Sequence, residues 1–328
     1  MTGTVSVRLT GFVSSLMTVA TRRAMSSESR AYVPRRALMY VPGCDERKMA
    51  KIPQIGADCI CLDCEDGVAV NMKDAARKGI RELLDTQRVD FGVSECSVRV
   101  NSVDSGLCKD DVLEVLGGAN MPSAIHLPKV AGREELAFLA TCIREAVNKP
   151  LPRKLGLIMF IESARSLLDI DSICKAAWDI SEAGADFIPE ALVFGSDDFA
   201  ADIGATRTKE NTELLLARQQ VVVAAKAHRL QAIDAVYIDY KDREGLQRQA
   251  EEGARWGFTG KQVLGRRVTE PTSLIILLSG DPPGSGECGS GSVQPESVAG
   301  RVGHCSVGGA RQAPGGRQGR VQLQGRHD

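Results

Sequence analysis

The stretches Leu157-Ile158-Met159-Phe160-Ile161-Glu162 and Ala191-Leu192-Val193-Phe194-Gly195-Ser196-Asp197-Asp198 decide the fold. Each is a short apolar run of strand length that ends in acid: Glu162 closes the first and Asp198 follows the second. Strands that alternate with helices and present carboxylates at their C-terminal ends are how a parallel barrel displays catalytic groups. Paired carboxylate oxygens suit a hard cation such as Mg2+. Glu162 and Asp198 therefore read as half of a divalent-metal site, with an N-cap or surface carboxylate as the alternative for each.

Working outward, apolar runs alternate with helical patterns from Arg35 to Val263, the signature of repeated βα units on a parallel sheet. Eight strands are expected: Ala37 to Val41, Cys59 to Asp63, Ser97 to Asn101, Ala124 to Pro128, Gly156 to Ile161, Ala191 to Phe194, Ala232 to Ile238 and Gly257 to Val263. The clearest helix is expected over Lys209 to Leu230, where Leu214, Leu215, Arg218, Val222 and Ala225 share a face behind Thr208 as cap. Eight units in this span fit an α/β TIM barrel, whose usual size is roughly 250 residues.

A net charge of -1 predicts neither nucleic-acid nor membrane affinity. No run approaches the roughly 18 apolar residues of a membrane span. The cysteines lack the dense spacing of a secreted disulfide scaffold, which favours a reducing compartment. Cys59, Cys61 and Cys64 are close enough to suggest zinc, but strand alternation puts Cys59 and Cys61 on one face and Cys64 on the other, so they read as small buried hydrophobes. His126 and His228 read as structural.

The ends differ from the middle. Residues 1–27 contain no Asp or Glu and carry Arg8, Arg22 and Arg23 among Ser, Thr and Val, the composition of a mitochondrial targeting peptide. Residues 264–328 hold 14 of the 33 glycines and no lysine, which predicts a disordered Gly/Arg/Ser-rich tail.

Seven ordered motifs now become specific. They are Arg36-Ala37-Leu38-Met39-Tyr40-Val41-Pro42-Gly43, Leu62-Asp63-Cys64-Glu65-Asp66-Gly67-Val68, Val98-Arg99-Val100-Asn101-Ser102, Leu127-Pro128-Lys129-Val130, Phe160-Ile161-Glu162-Ser163-Ala164, Phe194-Gly195-Ser196-Asp197-Asp198-Phe199 and Gly257-Phe258-Thr259-Gly260-Lys261-Gln262-Val263. In that order they resemble the citrate lyase beta-subunit family of the HpcH/HpaI aldolase superfamily, whose members include CoA-ester lyases. The resemblance of these ordered motifs gives the barrel domain, between the two ends, the bounds 32–263.

The resemblance implies a Mg2+-dependent carbon-carbon lyase, Mn2+ being acceptable to the same ligands, acting in the mitochondrial matrix on an acyl-CoA such as citramalyl-CoA to give acetyl-CoA and pyruvate. The reverse condensation would resemble malate synthase chemistry. It also implies Glu162 and Asp198 as direct metal ligands, Arg99 as a fork for a substrate carboxylate, and Glu65 and Asp66 as residues that orient Arg99 or metal-bound waters. An interior ion pair of Arg99 with Glu65 or Asp66 is the alternative, and both roles can coexist. Tyr40, Arg47 and Lys51 fall where the family binds CoA; Arg47 and Lys51, four apart, are expected on one helix face, against the bland alternative of a solvated surface. Lys129 is a further anion contact.

The chain departs from the family after Val263, where Leu264-Gly265-Arg266-Arg267 replaces an Ile-His-Pro continuation that helps hold CoA. Complete relatives carry a C-terminal extension that reaches a neighbouring subunit of a homotrimer with a catalytic aspartate. Nothing in 264–328 resembles it, so the last barrel helix and that extension are expected to be missing or replaced. Two other functional readings stay open: an inactive or weakly active isoform that only binds metal, CoA or partner subunits, and a metal-dependent ketoacid aldolase.

Overall fold

The computed structural model describes residues 32–147, 151–239 and 241–264. The expected targeting peptide, and the expected tail beyond Leu264, lie outside the described residues.

Eight parallel strands close into a ring in sequence order: β1 (Ala37–Pro42), β2 (Cys59–Asp63), β3 (Glu95–Arg99), β4 (Ala124–Leu127), β5 (Leu155–Ile161), β6 (Phe187–Phe194), β7 (Gln231–Asp234) and β8 (Gly260–Val263). The principal outer helices are α1 (Glu46–Met49), α2 (Lys73–Thr86), α3 (Cys108–Leu116), α4 (Arg133–Ala146), α5 (Ala164–Leu168), α6 (Ile170–Glu182), α7 (Ser196–Asp202), α8 (Leu215–Ala227) and α9 (Arg243–Trp256). The expected TIM barrel is the fold observed.

Alternation along the strands builds two apolar layers. Leu38, Cys59, Cys61, Ile158, Phe160 and Val193 fill the ring, while Leu62, Val98, Leu127 and Cys64 join the larger layer beneath the helices. Cys59 and Cys61 are thus separated from Cys64, as the period of two requires. Burial pushes all three thiols well up, so they stay protonated at neutral pH.

Four strand expectations need correction. β3 runs two residues earlier at each end than expected, Glu95–Arg99, and the N–H of Asn101 donates to Asp111 Oδ2 at 2.8 Å instead of to a ladder. β7 ends at Asp234, four residues short, and the apolar run beyond it supplies Tyr237 to the core rather than to a ladder. β8 begins at Gly260 instead of Gly257, because Gly257 caps α9 in a left-handed conformation. β6 begins earlier, at Phe187, despite Pro189 and Glu190: the register with β5 shifts between Leu157 and Ile158, whose partners are Pro189 and Ala191. Glu190 is the extra residue of this bulge. Its carboxylate pairs with Arg35, a fully buried residue just before β1 that also grips Glu95 Oε1 at 2.7 Å.

The long helix expected over 209–230 is also shorter. Asn211 takes a left-handed φ of 55°, a 3₁₀ turn covers Thr212–Leu214, and α8 proper starts at Leu215. Thr208 does not cap it; its N–H and hydroxyl donate to Glu213 at 2.8 and 2.7 Å. Arg218 on α8 is buried, held by Asp234 of β7 at 2.9 and 2.7 Å and stacked 4.5 Å from the Trp256 ring centroid. Lys261 of β8 reaches the same Asp234 at 3.1 Å, so one carboxylate ties together β7, β8 and α8.

Candidate active site

The C-terminal rim of the ring gathers Tyr40, Asp63, Glu65, Arg99, Lys129, Glu162 and Asp198 from six different strand ends. Arg99, the last residue of β3, is buried and points inward. Its Nε and Nη2 donate to Asp63 Oδ1 and Oδ2, both at 2.8 Å, in the bidentate geometry that a guanidinium fork favours. Its Nη1 meets Glu65 at 2.8 Å and the exposed Asp66 at 3.4 Å. The Tyr40 ring lies 4.5 Å beneath the guanidinium carbon, and the Tyr40 hydroxyl donates to Gln262 Oε1 at 2.9 Å. Burial opposes the charge on Arg99, yet Asp63 outweighs it and holds the group more firmly protonated.

Glu65 and Asp66 do touch Arg99, as expected, but the principal partner is Asp63, which the sequence reading passed over. Asp63 is fully buried, and it also accepts from the backbone N–H groups of Glu65 and Gly67, both at 2.9 Å. The signal was present in the alternation: Cys59, Cys61 and Asp63 share a face, so an inward Cys61 implies an inward Asp63 opposite Arg99.

Glu162 follows the last residue of β5 directly. Ser163 caps α5 through the Ser166 N–H, and the Ser166 hydroxyl accepts from the N–H of Ser163 at 3.0 Å, which fixes the bend that turns Glu162 inward. Gly195 matters here sterically, because a Cβ at that position would overlap the Glu162 side chain. Asp198 sits in the first turn of α7 with its side chain 42% exposed. Its neighbour Asp197 turns away to pair with Arg207.

Lys129 connects these acids. Its backbone N–H donates to Glu162 Oε2 at 2.8 Å, while its Nζ lies 3.1 Å from Asp198 Oδ2 and 3.6 Å from Glu65 Oε1. Burial, helped by the neighbouring carboxylates Glu65 and Asp198, pushes the Glu162 carboxyl up to about 8. Burial likewise pushes Glu65 up to about 7, with Arg99 and Lys129 pulling the other way.

The donor set suits a hard divalent cation. Glu162, Asp198 and Glu65 offer oxygen alone, and the ammonium of Lys129 already occupies a cationic position between two of them. Among the described residues no three His, Cys, Asp or Glu side chains enclose one point. Mg2+ usually takes one or two protein carboxylates and completes its shell with waters and substrate oxygens, so Glu162 and Asp198 are donors of the right kind and number for it.

The CoA-side expectations fare unevenly. Tyr40 belongs to the rim, but α1 spans only Glu46–Met49, so Lys51 lies beyond its end in the turn that enters a 3₁₀ segment. Arg47 and Lys51 are both exposed and do not share an α-helical face. His126 is fully buried in β4, with Nε2 2.9 Å from the Ser97 hydroxyl, and His228 is the C-cap of α8, 2.8 Å from Asp171. Neither reaches the carboxylates' rim as a base, in keeping with structural roles.

Comparison with known proteins bears on this arrangement. The HpcH/HpaI aldolase/citrate lyase family model matches residues 36–265. The mitochondrial citramalyl-CoA lyase of Homo sapiens is 47% identical over 240 residues, covering 73% of this chain and 70% of the relative. A citrate lyase beta subunit from Mycobacterium tuberculosis, solved with oxaloacetate and magnesium, superposes with a TM-score of 0.58 at 25% identity, covering 75% of this chain and 98% of that one. CitE of the same organism, in complex with magnesium, acetoacetate and coenzyme A, gives a TM-score of 0.56 at 25% identity over 75% of this chain and 79% of that one.

Proposed function

The chain belongs to the HpcH/HpaI aldolase/citrate lyase family, and from that premise we propose that it is a Mg2+-dependent carbon-carbon lyase that cleaves citramalyl-CoA into acetyl-CoA and pyruvate. The observation that carries this reading is the placement of Glu162 at the backbone N–H of Lys129 and of Asp198 at its ammonium, beside a guanidinium fixed by Asp63. The human relative bears the name of this activity, and the solved neighbours were crystallised with magnesium and with coenzyme A.

Glu162 and Asp198 would hold the ion. Bound there, Mg2+ would act as Lewis acid and template for the hydroxyl and carboxylate oxygens of the substrate. Arg99 receives the substrate carboxylate on its Nη1 edge, where the exposed Asp66, only 3.4 Å away, is the contact most readily replaced. Asp63 and Tyr40 keep the guanidinium plane fixed meanwhile, so orientation is settled before the substrate enters. In the cleavage the hydroxyl loses its proton and the bond between the carbinol carbon and the thioester α-carbon breaks. The electron pair passes to the thioester as an enolate, and protonation of that carbon completes acetyl-CoA while the carbinol carbon becomes the ketone of pyruvate.

Tyr40, Arg47 and Lys51 remain the proposed CoA contacts; the exposure of Arg47 and Lys51 suits phosphates arriving from solvent. The mitochondrial matrix is the proposed location, supported by the acid-free, Arg-bearing residues 1–27 and by the compartment in the human relative's name. Pyruvate release from citramalyl-CoA by the purified 328-residue chain, with Mg2+ and beside Glu162→Gln and Asp198→Asn, tests the reading. Turnover by the parent that both substitutions and chelation abolish is expected. Turnover that persists in both variants refutes it.

A further inference from the structure

Building on the reading of Glu162 and Asp198 as metal ligands, the geometry points to Lys129 as a built-in counter-cation of the carboxylate cluster: its ammonium opposes entry of the divalent ion and shifts from Asp198 toward Glu65 when that ion binds.

Three features of one residue carry this. The Lys129 Nζ lies 3.1 Å from Asp198 Oδ2 and 3.6 Å from Glu65 Oε1, so it already has two anionic partners. The backbone N–H of the same residue donates to Glu162 Oε2 at 2.8 Å. Its φ is 53°, the left-handed region that few residues other than Gly, Asn and Asp enter. That backbone turn directs the N–H at one proposed ligand while the side chain reaches the other. Strain of this kind persists where surrounding structure over-determines it, commonly at functional sites.

An ammonium and a divalent ion cannot share Asp198 comfortably. Magnesium sits about 2.0–2.1 Å from its carboxylate oxygens, which would leave two cations a few ångströms apart on one acceptor. The Lys129 and Asp198 side chains are 44% and 42% exposed, so this half of the cluster has room to rearrange, whereas Glu65 and Glu162 are buried. Glu65 is the partner already in reach. The N–H bond to Glu162 does not depend on where the side chain points, so the inner ligand keeps its orientation through the exchange. Lys129 thus holds like-charged carboxylates together before loading, at the expense of metal affinity.

The test is Mn2+ binding to the full-length chain, read from the electron paramagnetic resonance signal of the free ion, for the parent, Lys129→Met, Lys129→Gln, Lys129→Arg and Glu162→Gln. Removal of the competing charge should tighten Mn2+ binding by roughly tenfold in both neutral variants, and Lys129→Arg should stay within about threefold of the parent. The neutral variants should also melt lower than the parent without metal and recover with saturating Mn2+. Neutral variants that fold only when Mn2+ is present support the same conclusion. Mn2+ binding by the neutral variants that equals or falls below the parent's overturns the role of Lys129, as does a failure of both to fold with or without metal. A parent that binds no Mn2+, or a Glu162→Gln variant that binds as the parent does, overturns the metal reading itself and this inference with it.

Discussion

Asp63 holds Arg99 by two parallel hydrogen bonds of 2.8 Å, with both side chains buried at the rim of the barrel. This pair, more than the looser contacts of Arg99 with Asp66, sets the plane in which the guanidinium meets a ligand.

Removing Asp63 should therefore affect stability and chemistry together. Asp63→Ala leaves a buried guanidinium without its main counter-charge, and a loss of about 3–5 kcal/mol is expected in urea denaturation. Asp63→Asn keeps the volume but offers one acceptor oxygen instead of two. It should lower kcat by about 100-fold through misorientation of Arg99, measured as pyruvate release.

Gly195 tests the inner ligand by steric means alone. Its φ of -83° is ordinary for any residue, so Gly195→Ala introduces no backbone strain, only a methyl group that overlaps Glu162. The expected outcome is a cost of about 1–3 kcal/mol from overpacking and Mn2+ binding weakened by more than tenfold, since Glu162 must leave its position. Unchanged Mn2+ affinity would show that Glu162 is not a ligand.

Asp234 is the shared anion of Arg218 and Lys261. Asp234→Asn should cost about 3–5 kcal/mol, because two buried cations lose their common partner. Burial alone would raise its carboxyl; Lys261 and Arg218 outweigh that and hold it below the ordinary value of 3.8. A carboxyl depressed in the folded state contributes stability that is complete above the unfolded value and lost as pH falls toward the folded one. Its share of the acid transition should thus fall below pH 3.8, and chemical denaturation across that range will show whether the variant loses it.

His126 gives the opposite end of the acid profile. Burial, reinforced by Arg35 and Arg99, holds its imidazole well below the usual 6.5. The unfolded chain takes up a proton near pH 6.5 that the folded chain refuses, so stability is complete above that value and declines steadily as pH drops from it. His126→Phe should flatten the slope of unfolding free energy between pH 6.5 and 5 relative to the parent. An unaltered slope would mean that other groups set it.

Strand periodicity made most of the frame legible. Cys59, Cys61 and Cys64 fell on the faces that alternation assigns, and β2 matched residue for residue because its run is bounded by Asp58 and by the polar turn after Cys64. The missed features follow from interactions that local pattern does not encode. The sixth strand was expected to start only at Ala191, after Pro189 and Glu190, yet the buried charge of Arg35, 155 residues away, gives Glu190 a partner inside the sheet. Arg47 and Lys51 were spaced for a helix that stops after Met49. The part of Lys129 in the site depends on one left-handed φ, which spacing cannot reveal.

The ladder that closes the ring joins Ala37–Met39 to Lys261–Val263, and Gly260 permits it by letting β8 lie against the carbonyl of Arg35, where any side chain would collide. During synthesis this contact is the last that can form, since its two halves are separated by more than two hundred residues of intervening chain. At about 5–20 residues per second, tens of seconds of synthesis separate the two halves, and until the second is made the first strand has no partner along that edge. Such edges template association with other chains. Four residues, Gly260 to Val263, supply the missing partner, and the sheet they complete has no edge at all.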